Sequence, residues 1–276
     1  CKFVGNTSTK QGGAVFLASP TAYVVDGGTF NFTNCLFESN KAENGGAIAQ
    51  IDNKHAVFVN NCIFNNNSAS GWDGGGAIFV KGCIGTDVKN SIFNGNTANG
   101  MGGAIFNYNN AYLKSANNQY YGNQAVEGGA IRIMDNAGTD WTSGFWSTND
   151  VFYQNQATLK LYGGKQGKDN GAGGALHLYI QQPRNCEIVN AKFVNNIADG
   201  DYGADGSGGA IYVYTRSGKF GPGAKDVIDK LDGCVFYGNQ GMSTSKKLSA
   251  AVWGADIAVP SGKKNYNPIT ISNTKL

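Results

Sequence analysis

Residues that could carry acid–base or metal chemistry are few in this chain of 276 residues. The two histidines, His55 and His177, are far apart in the sequence, whereas polysaccharide-cleaving sites need a base beside clustered acids. The densest acidic stretch supplies Asp199, Asp201 and Asp205, separated by glycines and other small residues. Carboxylates at this spacing provide oxygen ligands for Ca²⁺, and the competing interpretation is a polar glycine-rich turn. We therefore predict no catalytic site and no cofactor apart from this candidate calcium site.

Other motifs that carry chemistry are missing from the sequence. There is no C-x-x-C pair for structural zinc, no G-x-S-x-G for a serine nucleophile, and no P-loop with its downstream Ser or Thr. Lysine and arginine exceed aspartate and glutamate by only three, which argues against nucleic acid as a partner. No apolar run is long enough for a transmembrane segment. These observations favour a non-enzymatic protein.

Glycine, at 41 residues, is about twice as frequent as usual, and two short motifs explain much of this excess. In the first motif, Asn follows an aromatic residue after three positions. Its aromatic residues are Phe3, Phe37, Phe64, Phe93, Tyr120, Phe152, Phe193 and Phe236. The second motif is Gly-Gly-Ala plus an aliphatic residue, at 12–15, 45–48, 75–78, 102–105, 128–131, 173–176 and 208–211. The two motifs alternate without a change of order, so the chain is a repeat protein.

The repeat length predicts the fold. The shortest spacing between successive aromatic residues is 27, and the longer spacings are insertions that grow toward the C-terminus. Short apolar alternations such as Phe30/Phe32 and Val57/Val59 precede the aromatic motif, which gives three short strands per repeat. Three strands with Gly and Asn at the corners form one coil of a parallel β-helix, and equal positions on successive coils stack into ladders. We predict about eight coils in a single all-β domain over 1–276; a sandwich or barrel is the alternative.

The repeat also resembles a known family. Phe93-Asn94-Gly95-Asn96-Thr97-Ala98, followed by Gly102-Gly103-Ala104-Ile105, is similar to the repeats of chlamydial polymorphic outer membrane proteins and of related autotransporter-like adhesins. The resemblance covers nearly the whole chain. It implies a right-handed parallel β-helix outside a cell, used for adhesion or as a structural stalk. No outer-membrane barrel segment follows the repeats in this sequence.

Residues next to the Gly-Gly-Ala motif predict a stripe on the outer face of the solenoid. If the aliphatic fourth position points inward, its neighbours point outward by the alternation of a strand. The residues predicted for this stripe are Phe79, Phe106, Tyr108, Arg132, His177, Tyr179, Tyr212 and Tyr214. An exposed aromatic stripe would be a surface for glycans or for lateral packing on other protein chains. The alternative is that inserted loops fold back and cover it.

Four of the six cysteines occupy one repeat position, two residues before the aromatic residue. They are Cys1, Cys35, Cys62 and Cys234. The first three lie on adjacent coils, whose spacing falls within the Cα range of a disulfide. The sequence leaves open whether two of them are bridged or whether all are free, buried thiols.

These features together predict an extracellular or cell-surface structural or adhesive module. A polysaccharide lyase or hydrolase, or a pure carbohydrate-binding module, on the same fold is the alternative. The chain opens and closes within its repeat. We expect either a segment of a longer β-helix or a subunit that joins other copies head to tail into a filament.

Overall fold

The structure is a computed structural model that describes residues 1–18, 28–52, 55–109, 112–135, 144–158, 171–180, 186–200, 208–214, 228–243, 257–258 and 269–272. The regular elements within these ranges are β-strands. None of the residues in these ranges forms a helix with the length and apolar character needed to cross a membrane. The strands form four parallel sheets in which each strand pairs with its equivalent one repeat away.

Two of the four sheets carry the two sequence motifs. The aromatic sheet consists of β1 (Lys2–Val4), β4 (Leu36–Glu38), β8 (Ile63–Asn65), β12 (Ile92–Asn94), β16 (Gln119–Tyr121), β20 (Val151–Tyr153), β24 (Lys192–Val194) and β28 (Val235–Tyr237). The glycine sheet follows the Gly-Gly-Ala motif and consists of β2 (Val15–Ala18), β6 (Ile48–Ile51), β10 (Ile78–Lys81), β14 (Ile105–Tyr108), β18 (Ile131–Asp135), β22 (Leu176–Ile180), β26 (Ile211–Tyr214) and β30 (Ile257–Ala258).

The other two sheets complete each coil. The upstream sheet, which precedes the aromatic sheet along the chain, consists of β3 (Thr29–Thr33), β7 (Ala56–Asn60), β11 (Gly85–Lys89), β15 (Tyr112–Ala116), β19 (Gly144–Thr148), β23 (Cys186–Val189), β27 (Ile228–Asp232) and β31 (Ile269–Ser272). The short sheet, which follows it, consists of β5 (Lys41–Ala42), β9 (Ser68–Ala69), β13 (Thr97–Ala98), β17 (Gln124–Ala125), β21 (Gln156–Thr158), β25 (Ile197–Gly200) and β29 (Gln240–Ser243).

This architecture is a parallel β-helix, so the predicted fold class is confirmed. The prediction of three strands per coil was incomplete, because the short sheet adds a fourth. Its strands have only two to four residues, as in Thr97–Ala98, which is too short for an alternating pattern to show in the sequence. They become strands because the backbone groups of each pair with the equivalent segment of the neighbouring coil.

The core is built around the stacked rings of the first motif, as the sequence predicted. Phe37, Phe64 and Phe93 stack with ring centroids 4.7 Å apart and with planes within 2° of parallel. The stack continues through Tyr120, Phe152, Phe193 and Phe236, at centroid distances of 4.8 to 5.0 Å. Each ring from Phe37 to Phe193 is fully buried. Burial of a large side chain contributes about 2–3 kcal/mol, so this column is a major source of stability.

The Asn residues of the first motif form a buried ladder beside the ring stack. Asn96 is representative: its side-chain amide donates to Asn123 Oδ1 (3.0 Å) and to the carbonyl oxygen of Phe64 (2.9 Å). Asn96 Oδ1 in turn accepts from the backbone and side-chain amides of Asn67 (3.0 and 2.9 Å). Each of these buried amides thus has partners for both its nitrogen and its oxygen, so the polar groups at this corner of the coil are hydrogen-bonded without water.

The two positions of the Gly-Gly pair require glycine for different steric reasons. Gly102, the first glycine of its pair, has φ = +64°, a left-handed conformation that glycine adopts most readily. Gly103, the second, lies so close to the next coil that a Cβ would overlap the carbonyl oxygen of Gly129. The first position therefore demands glycine for its backbone angles and the second for its lack of a side chain.

Candidate functional surface

The aromatic residues predicted as an outer stripe do lie outside the main core, but the structure buries them. Phe79 and Phe106 are each 1% exposed, and their rings are 5.5 Å apart. They form a second apolar cluster in which Met101 is buried and Trp72 packs at the edge. Both of these come from turns that lead into a Gly-Gly pair. The exposure predicted for the stripe is corrected here, because these turns cover it; a role as a partner surface stays a prediction.

Further along the glycine sheet, the same outward positions hold a buried polar cluster. Arg132 donates from Nε to Glu127 Oε2 (3.0 Å), and its Nη1 donates to the carbonyl oxygens of Ile133 (2.7 Å) and His177 (3.3 Å). The Arg132 guanidinium also lies 5.7 Å from the ring centre of Tyr179. The side chains of Arg132 and Glu127 are both less than one-tenth exposed. Burial of this ion pair costs desolvation free energy, which these hydrogen bonds offset.

His177 lies on the next coil of this cluster. Its Nδ1 is 3.5 Å from Glu127 Oε2, and its ring meets Tyr212 edge-on at 4.7 Å. Neither ring nitrogen forms a hydrogen bond within the described residues. Burial and the neighbouring Arg132 guanidinium hold the pKa of His177 well below its usual range. His177 is 1% exposed, so the exposed position predicted for it is corrected to a buried one.

The remaining predicted site residues are only partly within the description. Tyr108 is half-buried, with Lys81 Nζ 5.3 Å from its ring centre. Asp199 lies in β25 and is half-buried, whereas Asp201 and Asp205 lie outside the described residues, as does the side chain of Tyr214. Within the described part of the chain, no three His, Cys, Asp or Glu side chains are grouped to hold a metal ion. The calcium site stays a prediction.

The cysteine position forms a ladder, as expected. The backbone N–H of Cys35 donates to Cys62 Sγ at 3.4 Å, and burial raises the pKa of the Cys62 thiol. All six cysteines are free thiols, with Cys1 exposed and the others buried. Cys1, Cys35 and Cys62 line one side of an outer groove of ≈ 480 Å³. The sequence left open whether two of these cysteines are bridged or all are free, and in the structure all are free.

A different exposed surface, which the sequence analysis missed, lies on the outer face of the aromatic sheet. Tyr121, Tyr153 and Tyr237 occupy the same outward position on β16, β20 and β28, with Val194 between the last two. Tyr237 is 70% exposed, while Tyr121 and Tyr153 are half-buried and touch edge-on at 5.9 Å. We call these three residues the tyrosine row. Their signal was present, because each directly follows a stacking aromatic residue.

Beside the tyrosine row, the corner between the aromatic and short sheets contains a groove of ≈ 290 Å³. The residues that line it, which we call the corner groove, are Gln154, Gln156, Asn195, Ile197, Gly238 and Gln240. At the turn position of Gln154 the earlier coils carry Ser39, Asn66 and Gly95, whereas Gln156 and Gln240 share their short-sheet position with Gln124. None of the lining residues is charged.

Comparison with known families bears on this repeat. Residues 34–49 and 90–108 match the Chlamydia polymorphic membrane protein repeat. The matched segments contain the first motif, its buried asparagine and the Gly-Gly-Ala motif, which are the residues that build the ladders. The resemblance drawn from the sequence is therefore confirmed for these two segments, which match the repeat of that family. No curated protein and no solved structure matches the chain.

Proposed function

We propose that the chain is a non-enzymatic adhesive module displayed on a cell surface. The observation that carries the proposal is that the repeat uses different residues for its interior and for its surface. The matched motif residues, such as Phe93, Asn96 and Gly103, contact the neighbouring coils inside the stack. Positions that face outward are free of this constraint and vary from coil to coil, which is how repeat scaffolds present binding surfaces.

The accessible surface supports contact rather than catalysis. Tyr237 and the corner groove are open to solvent, whereas His177 and Glu127, which could act as base and acid, are buried. Large aromatic side chains exposed on a rigid support are typical of recognition surfaces. The stacked core beneath them holds these side chains at fixed spacing, so no ordering of the backbone is needed when a partner binds.

The test uses the purified full chain coupled to fluorescent beads and presented to cultured cells. We expect saturable attachment that is lost when the chain carries Gly103→Val, because this side chain overlaps Gly129 and breaks the coil stack. In parallel, a panel of neutral and acidic glycans is incubated with the chain and calcium, and all are expected to remain intact. Absence of saturable attachment, or cleavage of any glycan, would overturn the proposal.

A further inference from the structure

The tyrosine row and the corner groove form one continuous surface that runs along the solenoid. The tyrosine row lies on β16, β20 and β28, and the corner groove adjoins it on the turns after β20, β24 and β28 and on β21, β25 and β29. Four coils at about 4.8 Å per coil span about 14 Å between the first and last strand. An occupant that uses the whole surface must therefore be elongated and must lie across the strands, along the stacking direction.

The amides of this surface have unused hydrogen-bonding capacity. Gln154 and Gln240 are exposed and Gln156 is half-buried, and none of their side chains forms a hydrogen bond with the described residues. This contrasts with the buried ladder, where each Asn amide is fully paired. A primary amide offers two donors and one carbonyl acceptor, which matches the mixed donor and acceptor character of sugar hydroxyl groups.

Charge argues for a neutral occupant. The tyrosine row and the corner groove contain no side chain that is charged at neutral pH, and the charged residues on β24 and β25 are Lys192 and Asp199, one of each sign. An acidic polysaccharide or a nucleic acid would find no basic cluster to neutralise it. The tyrosine rings provide electron-rich faces for the polarised C–H groups of a sugar ring.

We propose that the tyrosine row and the corner groove bind a neutral glycan chain that lies along the solenoid axis. This inference rests on the proposed adhesive function and names the class of ligand that the adhesive surface takes. Tyrosine rings stack on sugar faces, and the glutamine amides on the other side of the turn hydrogen-bond to hydroxyl groups. Val194, which is smaller than its tyrosine neighbours, lies between Tyr153 and Tyr237 in this row.

Binding is measured by titration calorimetry with soluble hexasaccharides of glucose, mannose, xylose and N-acetylglucosamine, and with oligogalacturonate and heparin fragments as acidic probes. We expect at least one neutral probe to bind, and Tyr237→Ala or Gln154→Ala to weaken it about tenfold. Both side chains are exposed and hold no internal bond, so the variants should fold. The matched control is Asn94→Ala, the equivalent outward position of Tyr237 on β12, and it should bind like the parent chain.

Binding of acidic probes alone, binding of no probe, or equal loss in Asn94→Ala would overturn the inference. Bead attachment to cells separates this outcome from failure of the proposed function. If beads still attach after enzymatic removal of cell-surface glycans, the adhesive function stands and the glycan is wrong. If beads never attach, the adhesive function itself is wrong.

Discussion

Asp150 shows how one residue can depart from the repeat and change the stability of a coil. It occupies the position held by Cys62, Ser91 and Asn118 on the preceding coils. Its Oδ1 accepts from the backbone N–H of Asn118 (2.8 Å), and its Oδ2 accepts from Ser147 Oγ (2.6 Å). Burial raises the pKa of the Asp150 carboxyl to about 6 in spite of these hydrogen bonds.

A raised pKa in the folded state means that the charged carboxylate destabilises the fold. The penalty is fully present above pH 6 and disappears as the pH falls toward the unfolded value near 4, so stability should rise on acidification across this window. Two pKa units correspond to about 3 kcal/mol as an upper figure. Asp150→Asn removes the charge and keeps an oxygen acceptor for the backbone N–H of Asn118. Asn118 itself shows that an amide can do this, because its Oδ1 accepts from the backbone N–H of Ser91 on the preceding coil.

We therefore expect Asp150→Asn to raise the free energy of unfolding at pH 7.5 by about 1–3 kcal/mol and to flatten its pH dependence between pH 4 and 6. Urea denaturation at pH 4.5 and pH 7.5 measures both effects. Asp73→Asn, at a half-exposed carboxylate, is the control and should change little. A variant that is less stable than the parent chain at both pH values would refute this account of Asp150.

Two glycines with similar backbone angles should respond very differently to alanine. Gly102 has φ = +64°, and a Cβ there would overlap the backbone carbonyl oxygen of Ile105, whereas Gly122 has φ = +56° and open space around it. Gly122→Ala should cost about 1 kcal/mol for the left-handed conformation alone. Gly102→Ala should cost clearly more, because the backbone of Ile105 in β14 must also move. Thermal unfolding of the two variants compares them, and equal losses would show that the steric contact is unimportant.

At the scale of the elements, the two asparagine ladders differ in what they contribute. The buried ladder around Asn96 satisfies backbone groups that water cannot reach. The second ladder lies on the outer turns, where Asn117 is exposed, has φ = +58°, and donates to Asn90 Oδ1 at 3.4 Å. Gly233 takes the equivalent place on a later coil without breaking the stack. The outer asparagines thus serve mainly the turn conformation.

Asn96→Ala should lower the free energy of unfolding by about 3 kcal/mol, since it leaves the Asn67 backbone N–H buried without a partner and removes the side-chain hydrogen bonds to the Phe64 carbonyl and Asn123 Oδ1. Asn117→Gly should change it by less than about 1 kcal/mol, because glycine keeps the left-handed turn. Denaturant unfolding of both variants is the measurement. Similar losses for the two would contradict the distinction between the ladders.

The sequence predicted those elements whose residues repeat at a fixed position. Phe93 and Asn96 recur once per coil, so their stacking follows from the parallel strand spacing alone. Coverage of the outer face could not be predicted in this way. Trp72 and Met101 cover Phe79 and Phe106 from turns in which other repeats carry different residues, such as Asn44 and Glu127 at the place of Met101. The tyrosine row was predictable in principle, but only once the outward register of the aromatic sheet was known.

At the scale of the whole molecule, low charge distinguishes this scaffold from surfaces that bind by electrostatic attraction. The chain has a formal net charge of +3 over 276 residues, and the corner groove has no charged residue. We expect bead attachment to change by less than about twofold between 0.05 and 0.5 M salt, since screening acts on charge pairs and not on stacked rings or amide hydrogen bonds. A steep loss with added salt would indicate that the lysines and arginines elsewhere carry the contact.

The central claim is that one sequence repeat forms one coil of a single stack. Equal outward positions on successive coils must then separate by about 4.8 Å per coil. Glu38, Tyr153 and Tyr237 hold such positions on β4, β20 and β28, four and six coils apart along the aromatic sheet. Cysteine substitution at these sites, with the exposed Cys1 changed to Ser, allows pairs of spin labels to be attached while the other cysteines stay buried.

The most direct measurement is the distance between these labels by pulsed electron spin resonance. A parallel β-helix predicts label distances that centre near 19 Å for the Glu38/Tyr153 pair and near 29 Å for the Glu38/Tyr237 pair, a difference of about two coil spacings. Equal distances for the two pairs, or a shorter distance for Glu38/Tyr237, would contradict the stacked-coil account.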